Sequence, residues 1–226
     1  MSSDHHTVSH AHWKGVSAFL RCLSLVLIFL LSICNVDASV GKEPETGTII
    51  VPVRALNIIW GNDSRFWRFQ DLPRDETMMI GLKESAWLVQ VNWIEVTGKV
   101  RKSDLHKEPG SVTKYGIFYI IKFRADAFGW HSVPIKFKFR LTTTSAKQQP
   151  QPHYHSTDDN LTIDKEDEKS IILEPYREKQ EVWHEIPAGQ FSVSNSDGFL
   201  EFGMFEVDSA WWKGNMVLAG VKIKPI

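Results

Sequence analysis

Three groups of residues in this chain have types and spacings that bear on chemistry. Trp60 and Trp67 bracket a polar run, Gly61-Asn62-Asp63-Ser64-Arg65-Phe66. Indole rings beside Asp, Asn and Glu combine apolar area with orienting hydrogen-bond partners, the ingredients of a shallow carbohydrate site. Plain packing is the alternative, because Trp60 also ends an apolar run. Glu201 and Glu206 form a carboxylate pair. Glycosidic hydrolysis needs two carboxyls facing each other across the bond. On an unbroken strand these two would point to opposite faces, so an ordinary exposed pair is expected. The third group is histidine: His5, His6, His10 and His12 near the N-terminus, and His153 and His155 around Tyr154. The first set has no rigid framework and the second no third ligand, so no metal site is expected.

Other chemistry is excluded by what the chain lacks. It carries no G-x-S-x-G elbow, no phosphate-cradling glycine loop and no H-E-x-x-H. Its only cysteines, Cys22 and Cys34, precede the body, which rules out a cysteine nucleophile there, a cysteine zinc finger and a disulfide framework. A cysteine-free body suits a reducing compartment. With 226 residues, 42% of them hydrophobic, and 9 Trp and 13 Phe, the chain is too apolar for disorder and long enough for one sizeable domain. Lys+Arg 26 against Asp+Glu 27 gives a net charge of −1, which exerts no global pull on nucleic acid. No cofactor is implied, and nothing demands an enzyme.

The elements that must position these residues begin after residue 40. Residues 1–14 are a polar tail and 15–38 a hydrophobic segment, with Lys14 and Arg21 preceding its uncharged run and Asp37 following it. The uncharged run from Cys22 to Val36 is about 15 residues, short of the roughly 20 of a spanning helix. Val36-Asp37-Ala38 resembles a cleavage site, so a cleaved secretory signal and a membrane anchor through residues 16–36 both stand. From Thr48 onward the hydrophobic period is two. Val133 to Leu141 alternates with Lys136, Lys138 and Arg140, as a half-buried strand does. Tyr115–Phe123 is apolar on both faces, as in a central strand. Further strands are expected at Thr48–Trp60, Trp87–Val100, Phe191–Val193, Phe199–Val207 and Met216–Lys224, with a short helix at most in Glu76–Ser85. Roughly seven or eight short strands imply one all-β domain over 48–226, a jelly-roll-like β-sandwich. The polar stretch 142–179 offers little core and reads as a mobile insertion between strands.

The run Ala55-Leu56-Asn57-Ile58-Ile59-Trp60-Gly61-Asn62-Asp63-Ser64-Arg65-Phe66-Trp67 resembles the opening motif of the phloem protein 2 family of plant lectins, the Nictaba-like proteins. Trp93-Ile94-Glu95-Val96-Thr97-Gly98-Lys99, Pro109 to Tyr115, Ala127-Phe128-Gly129-Trp130 and Trp212-Lys213-Gly214 follow in family order, and the likeness covers about residue 52 to 226. It implies a jelly-roll sandwich that binds N-acetylglucosamine oligomers or N-glycan cores without catalysis, with oligosaccharides or glycoproteins as partners. The family's binding tryptophans fall on Trp60 and Trp67. One of its binding glutamates falls on Glu206, beside Asp63 as a further polar candidate, and the other falls on Phe199, a departure. A lost charge-assisted hydrogen bond costs about 1–3 kcal/mol, although a phenyl ring could stack instead. The same fold without sugar recognition, an interaction protein, is the alternative. Typical members lack a signal, and here the N-terminal segment implies a membrane-anchored or secretory address. Asn62-Asp63-Ser64 and Asn160-Leu161-Thr162 would then be glycosylation acceptors. The sequence leaves a homodimer open.

Overall fold

The computed structural model describes residues 40–105, 113–144, 161–194 and 197–226. The hydrophobic segment 15–38, the histidines at 5, 6, 10, 12, 153 and 155, and Asn160 all lie outside the described residues. The described chain forms two antiparallel sheets packed face to face. Sheet A contains β1 (Gly41–Lys42), β2 (Ile49–Pro52), β4 (Trp67–Asp71), β5 (Glu84–Val91), β7 (Thr113–Phe128), β10 (Trp183–Val193) and β12 (Lys213–Pro225). Sheet B runs β3 (Asn57–Ile58), β6 (Ile94–Arg101), β11 (Phe199–Glu206), β8 (Ile135–Thr144) and β9 (Leu161–Ile171). From β5 onward the chain crosses between sheets at every connection except β8 to β9, which stay together in sheet B. It gives the lateral order β5-β12-β7-β10 in one and β6-β11-β8-β9 in the other, the two interlocked Greek keys of a jelly roll.

Period-two patterning explains the core. Phe137 and Phe139 point inward from β8 while Lys136, Lys138 and Arg140 point out, and β7 sends in Tyr115, Ile117, Tyr119, Ile121 and Phe123. The sheets meet through ring pairs. Tyr119 lies 5.1 Å from Phe137 and 6.4 Å from Phe202, and Phe139 lies 5.7 Å from Phe191. A smaller apolar cluster on the outer face of sheet A sits under a helix, α1 (Arg74–Ile80), whose Ile80 packs with Ile120 and Ala219. This helix overlaps the Glu76–Ser85 stretch where a short one was expected but starts earlier and stops at Ile80, because Gly81 caps it in a left-handed conformation and Glu84 and Ser85 already belong to β5. Asp75 and Glu76 lie in its positive first turn.

Three expectations are corrected. Thr48–Trp60 is not one strand: Pro52, lacking an N–H, ends β2, a 3-10 turn over Val53–Ala55 follows, and the chain re-enters in the opposite sheet as β3. Trp87–Val100 likewise crosses from β5 in sheet A to β6 in sheet B through Asn92 and Trp93. The reading of 142–179 as an insertion without core fails over Thr142–Thr144 and 161–171. β8 extends to Thr144, and Leu161–Ile171 is β9, an integral strand of the jelly roll paired with β8 along its length. β9 is an edge strand whose charges have separate tasks. Glu168 pairs with Lys138 at 2.7 Å, while Lys165 and Lys169 donate to the carbonyls of Gln190 and Pro187 on β10.

At the bulge in β8–β9, Asp164 accepts from Lys102 at 3.0 Å and from the Thr143 hydroxyl at 2.6 Å, and Lys102 is 1% exposed. Removing Asp164 would leave a buried cation. Asp164→Ala should therefore cost about 1–3 kcal/mol in urea unfolding, against about 0.5 kcal/mol or less for Glu84→Ala in the exposed Arg54–Glu84 pair.

Candidate functional site

Four connections open at one end of the sandwich. The Ile59 amide donates to the Glu95 carbonyl at 3.1 Å. Glu206 stands opposite Ile94, Lys213 opposite Val91, and Gly214 opposite Phe128. The links at 59–66, 92–93, 129–134 and 207–212 therefore share that end. Large aromatics reach solvent there: Trp60 (43% exposed), Phe128 (40%), Trp211 (67%) and Trp212 (48%). Large exposed apolar side chains gathered at one end of a domain are a feature of binding surfaces.

The Trp60 turn is rigidly built. Gly61 N donates to Ile58 O at 2.9 Å, Asp63 N to Trp60 O at 3.0 Å, and the amides of Phe66 and Trp67 both donate to Asp63 O. Asp63 accepts the Arg65 amide at 3.0 Å and pairs with its guanidinium at 2.6 Å. The hydrogen bond from Arg65 holds the Asp63 carboxyl below its usual range, so it stays ionised. The Trp60 ring rests against Phe66 at 5.1 Å between centroids, and the Arg65 guanidinium lies 5.4 Å from the same phenyl ring. Trp60 itself has φ +60°, a left-handed conformation that costs a bulky residue about 1–2 kcal/mol. What results is an indole held out of the core, backed by a phenyl ring and flanked by an ion pair.

The sequence-predicted site residues do not converge. Trp60 and Asp63 lie together on this turn, with Asn62 exposed between them. Trp67 does not join them: it is 2% exposed, because it points inward from β4 into the main core. Glu206 is also withdrawn. It shares the inward face of β11 with Leu200, Phe202 and Met204, is 3% exposed, and is neutralised by the fully buried Lys213. Its other oxygen accepts the Ser209 amide at 2.9 Å, and Lys213 also donates to the Trp211 carbonyl at 2.9 Å. Phe199 sits at the far end of β11, about 24 Å along the strand from Glu206, under the Lys99 ammonium at 4.1 Å. Distance therefore removes it from the Trp60 turn. Glu201 points outward and pairs with Lys99 at 3.0 Å, so the two glutamates do occupy opposite faces.

Two features went unread in the sequence. Trp211 and Trp212 are adjacent in a turn, and neighbouring residues cannot both point into one core, a signal that was available. Glu95 carried none. This residue is 3% exposed on the outer side of β6, where its Oε2 accepts the Trp93 indole N–H at 3.3 Å and its Oε1 has no partner. Burial pushes its pKa up, and the Trp93 bond only partly opposes the rise. Among the described residues no cluster of three or more His, Cys, Asp and Glu side chains could hold a metal ion.

The described residues form a jelly roll whose solvent-facing aromatics gather at one end. The chain belongs to the phloem protein 2 family, whose description "Phloem protein 2" matches residues 47–225. Among its Arabidopsis thaliana relatives, PHLOEM PROTEIN 2-LIKE A5 is 27% identical over 184 residues, covering 81% of this chain and 38% of that protein. PHLOEM PROTEIN 2-LIKE A9 is 28% identical over 182 residues, covering 80% and 89%. Putative F-box protein PP2-B12 is 25% identical over 179 residues, covering 78% and 60%. The chain thus spans less than two thirds of the first and the last of these. Among solved structures, a Podospora anserina GH26-CBM35 β-(1,4)-mannanase aligns at 7% identity and TM-score 0.37, over 79% of this chain and 28% of that one. "Family 16 Carbohydrate Binding Module-2" aligns at 13% and TM-score 0.28, over 80% and 84%. These two likenesses are too slight to bear on the site.

Burial separates the two tryptophans energetically. Trp67→Ala should cost about 3–5 kcal/mol and Trp60→Ala about 0.5 kcal/mol or less in equilibrium unfolding. Glu95 adds a pH dependence. Its raised folded pKa favours the protonated acid, so its contribution is fully present at low pH and is lost as pH rises through the raised value. Denaturation midpoints should accordingly fall with pH just above the ordinary carboxylate range, and Glu95→Gln should remove that decline.

Proposed function

We propose that this protein is a non-catalytic lectin that binds N-acetylglucosamine oligomers or the cores of N-linked glycans at the Trp60 turn. The observation that carries this reading is the strained, solvent-facing Trp60 indole fixed beside the ionised Asp63. An indole face accepts the C–H face of a pyranose, and a sugar hydroxyl would bond the Asp63 carboxylate in exchange for one of the contacts that Arg65 makes to both of its oxygens. Membership of the phloem protein 2 family supports the sugar class. The separation of Glu201 from Glu206, each held by its own lysine, supports binding without hydrolysis.

The proposal extends to the address. Residues 15–38 would bring the domain into the secretory pathway or hold it at a membrane through 16–36. A glycan on the exposed Asn62 would then stand two residues from Trp60 and cover it. A second reading, an interaction protein that kept the sandwich and lost sugar recognition, is favoured by the burial of Trp67 and Glu206 and by Phe199.

Glycan-array binding followed by calorimetry with chitotriose tests the choice. Trp60→Ala should weaken binding at least about tenfold, about 1.4 kcal/mol, with unfolding unchanged, and Asp63→Asn should weaken it less. Equal binding by wild type and Trp60→Ala would refute the lectin reading. Protein partners captured irrespective of free chitotriose would favour the second.

A further inference from the structure

The outer face of sheet A holds a second arrangement that the Trp60 turn does not explain. Trp87 on β5 projects outward between two guanidiniums. Arg68, its direct partner on β4, has its guanidinium carbon 5.3 Å from the indole centroid, and Arg124, reaching over from β7, has its own at 4.4 Å. The β5 and β7 backbones are separated by β12, about 10 Å apart by strand spacing, so the arginines approach from opposite sides of the ring's strand.

The indole is fixed. Its N–H donates to Asn215 Oδ1 at 3.0 Å, and Asn215, in a left-handed conformation at φ +58°, anchors its own amide on the Asp126 carbonyl at 3.4 Å. Arg68 is fixed as well, through Nε to the Ser64 carbonyl at 3.1 Å. Neither guanidinium has a carboxylate within 4.0 Å among the described residues, whereas neighbouring Lys122 is neutralised by Glu76 at 2.8 Å. Arg124 is half-buried. A cation taken partly out of water normally comes with an anion. Contact with the indole partly desolvates each guanidinium. Arg68 commits its Nε to Ser64, while the Arg124 fork has no acceptor among the described residues, and such a fork takes an oxyanion by two parallel hydrogen bonds.

The geometry points to an oxyanion-binding site at the Arg124 guanidinium beside Trp87, with Arg68 adding positive charge from the other side of the indole, taking a sulfate, phosphate or carboxylate group. It is separate from the Trp60 platform and does not depend on sugar binding there. The anion is either free in solution or a substituent of a saccharide, and both present the same chemistry to the two arginines.

The test is a titration of the full chain, with 15N-labelled indoles, against inorganic sulfate and against glucosamine 6-sulfate, with sodium chloride at matched ionic strength as control. The expected result is a saturable shift of the Trp87 indole N–H with sulfate and not with chloride. Arg124→Gln should weaken it about tenfold, the Arg68→Gln/Arg124→Gln double variant should abolish it, and Arg124→Lys, which keeps the charge but loses the fork, should fall between. Tighter binding of glucosamine 6-sulfate than of free sulfate would identify the sugar-borne group as the ligand, and equal binding the free ion. Each variant is checked for an unchanged unfolding midpoint, and Lys83→Gln serves as a charge control. No saturable shift with either sulfate, an identical response to chloride, or an equal loss in Lys83→Gln would overturn the assignment. Loss of chitotriose binding in Trp60→Ala reads out the other site separately.

Discussion

The buried ion pair between Glu206 and Lys213 is the constraint on which the loop end of this molecule rests. Glu206 ends β11 in one sheet and Lys213 begins β12 in the other, so the pair spans the sandwich where its two layers separate. Both side chains are sealed from water, and further hydrogen bonds help offset their desolvation: the second carboxylate oxygen accepts from the Ser209 amide, and the ammonium also donates to the Trp211 carbonyl. Those two bonds dictate the path of 207–212. With the backbone pinned from inside, the side chains of Trp211 and Trp212 are left facing solvent. A residue that resembles a ligand-binding glutamate by position therefore acts here by shaping the loop.

The aromatic residues divide accordingly. Phe137, Tyr119, Phe202 and Trp67 gain the full benefit of burial and hold the layers together. Trp60 gains little of it. Its left-handed backbone costs about 1–2 kcal/mol, and its contact with Phe66 returns about 0.5–1.5 kcal/mol, so the residue is close to neutral for folding. An exposed indole that contributes almost nothing to stability is thus kept in place by five backbone hydrogen bonds within and beside its turn, as the proposed binding role requires.

Much of this architecture is legible in the residues, and the exceptions have physical causes. β8 shows in the sequence because one face is buried and alternation follows, and β7 and β12 show as central strands apolar on both faces. β9 is hidden because it is an edge strand exposed on both sides, with Glu166 and Glu168 toward Arg140 and Lys138, and Lys165 and Lys169 toward β10. The run Trp87–Val100 hides a change of sheet because its residues remain apolar through the crossing, and only Asn92 breaks the pattern. In the site, Trp60 and Asp63 are legible from the polar turn that carries them. The withdrawal of Glu206 was readable too: it has the same parity as Leu200, Phe202 and Met204, which places it on the core face. Glu95 was not readable, since nothing in Trp93-Ile94-Glu95-Val96 shows that an outward-facing acid lies covered.

The account stands on the claim that Trp60 alone of the bracketing tryptophans meets a ligand. Indole N–H spectra of the 15N-labelled chain, with signals from its 9 tryptophans assigned by single substitutions and followed during addition of chitotriose, test it most directly. The expected spectrum shows a saturable shift of the Trp60 signal while the Trp67 signal stays in place. Movement of Trp67 with Trp60 unmoved, or no change at either, would contradict it.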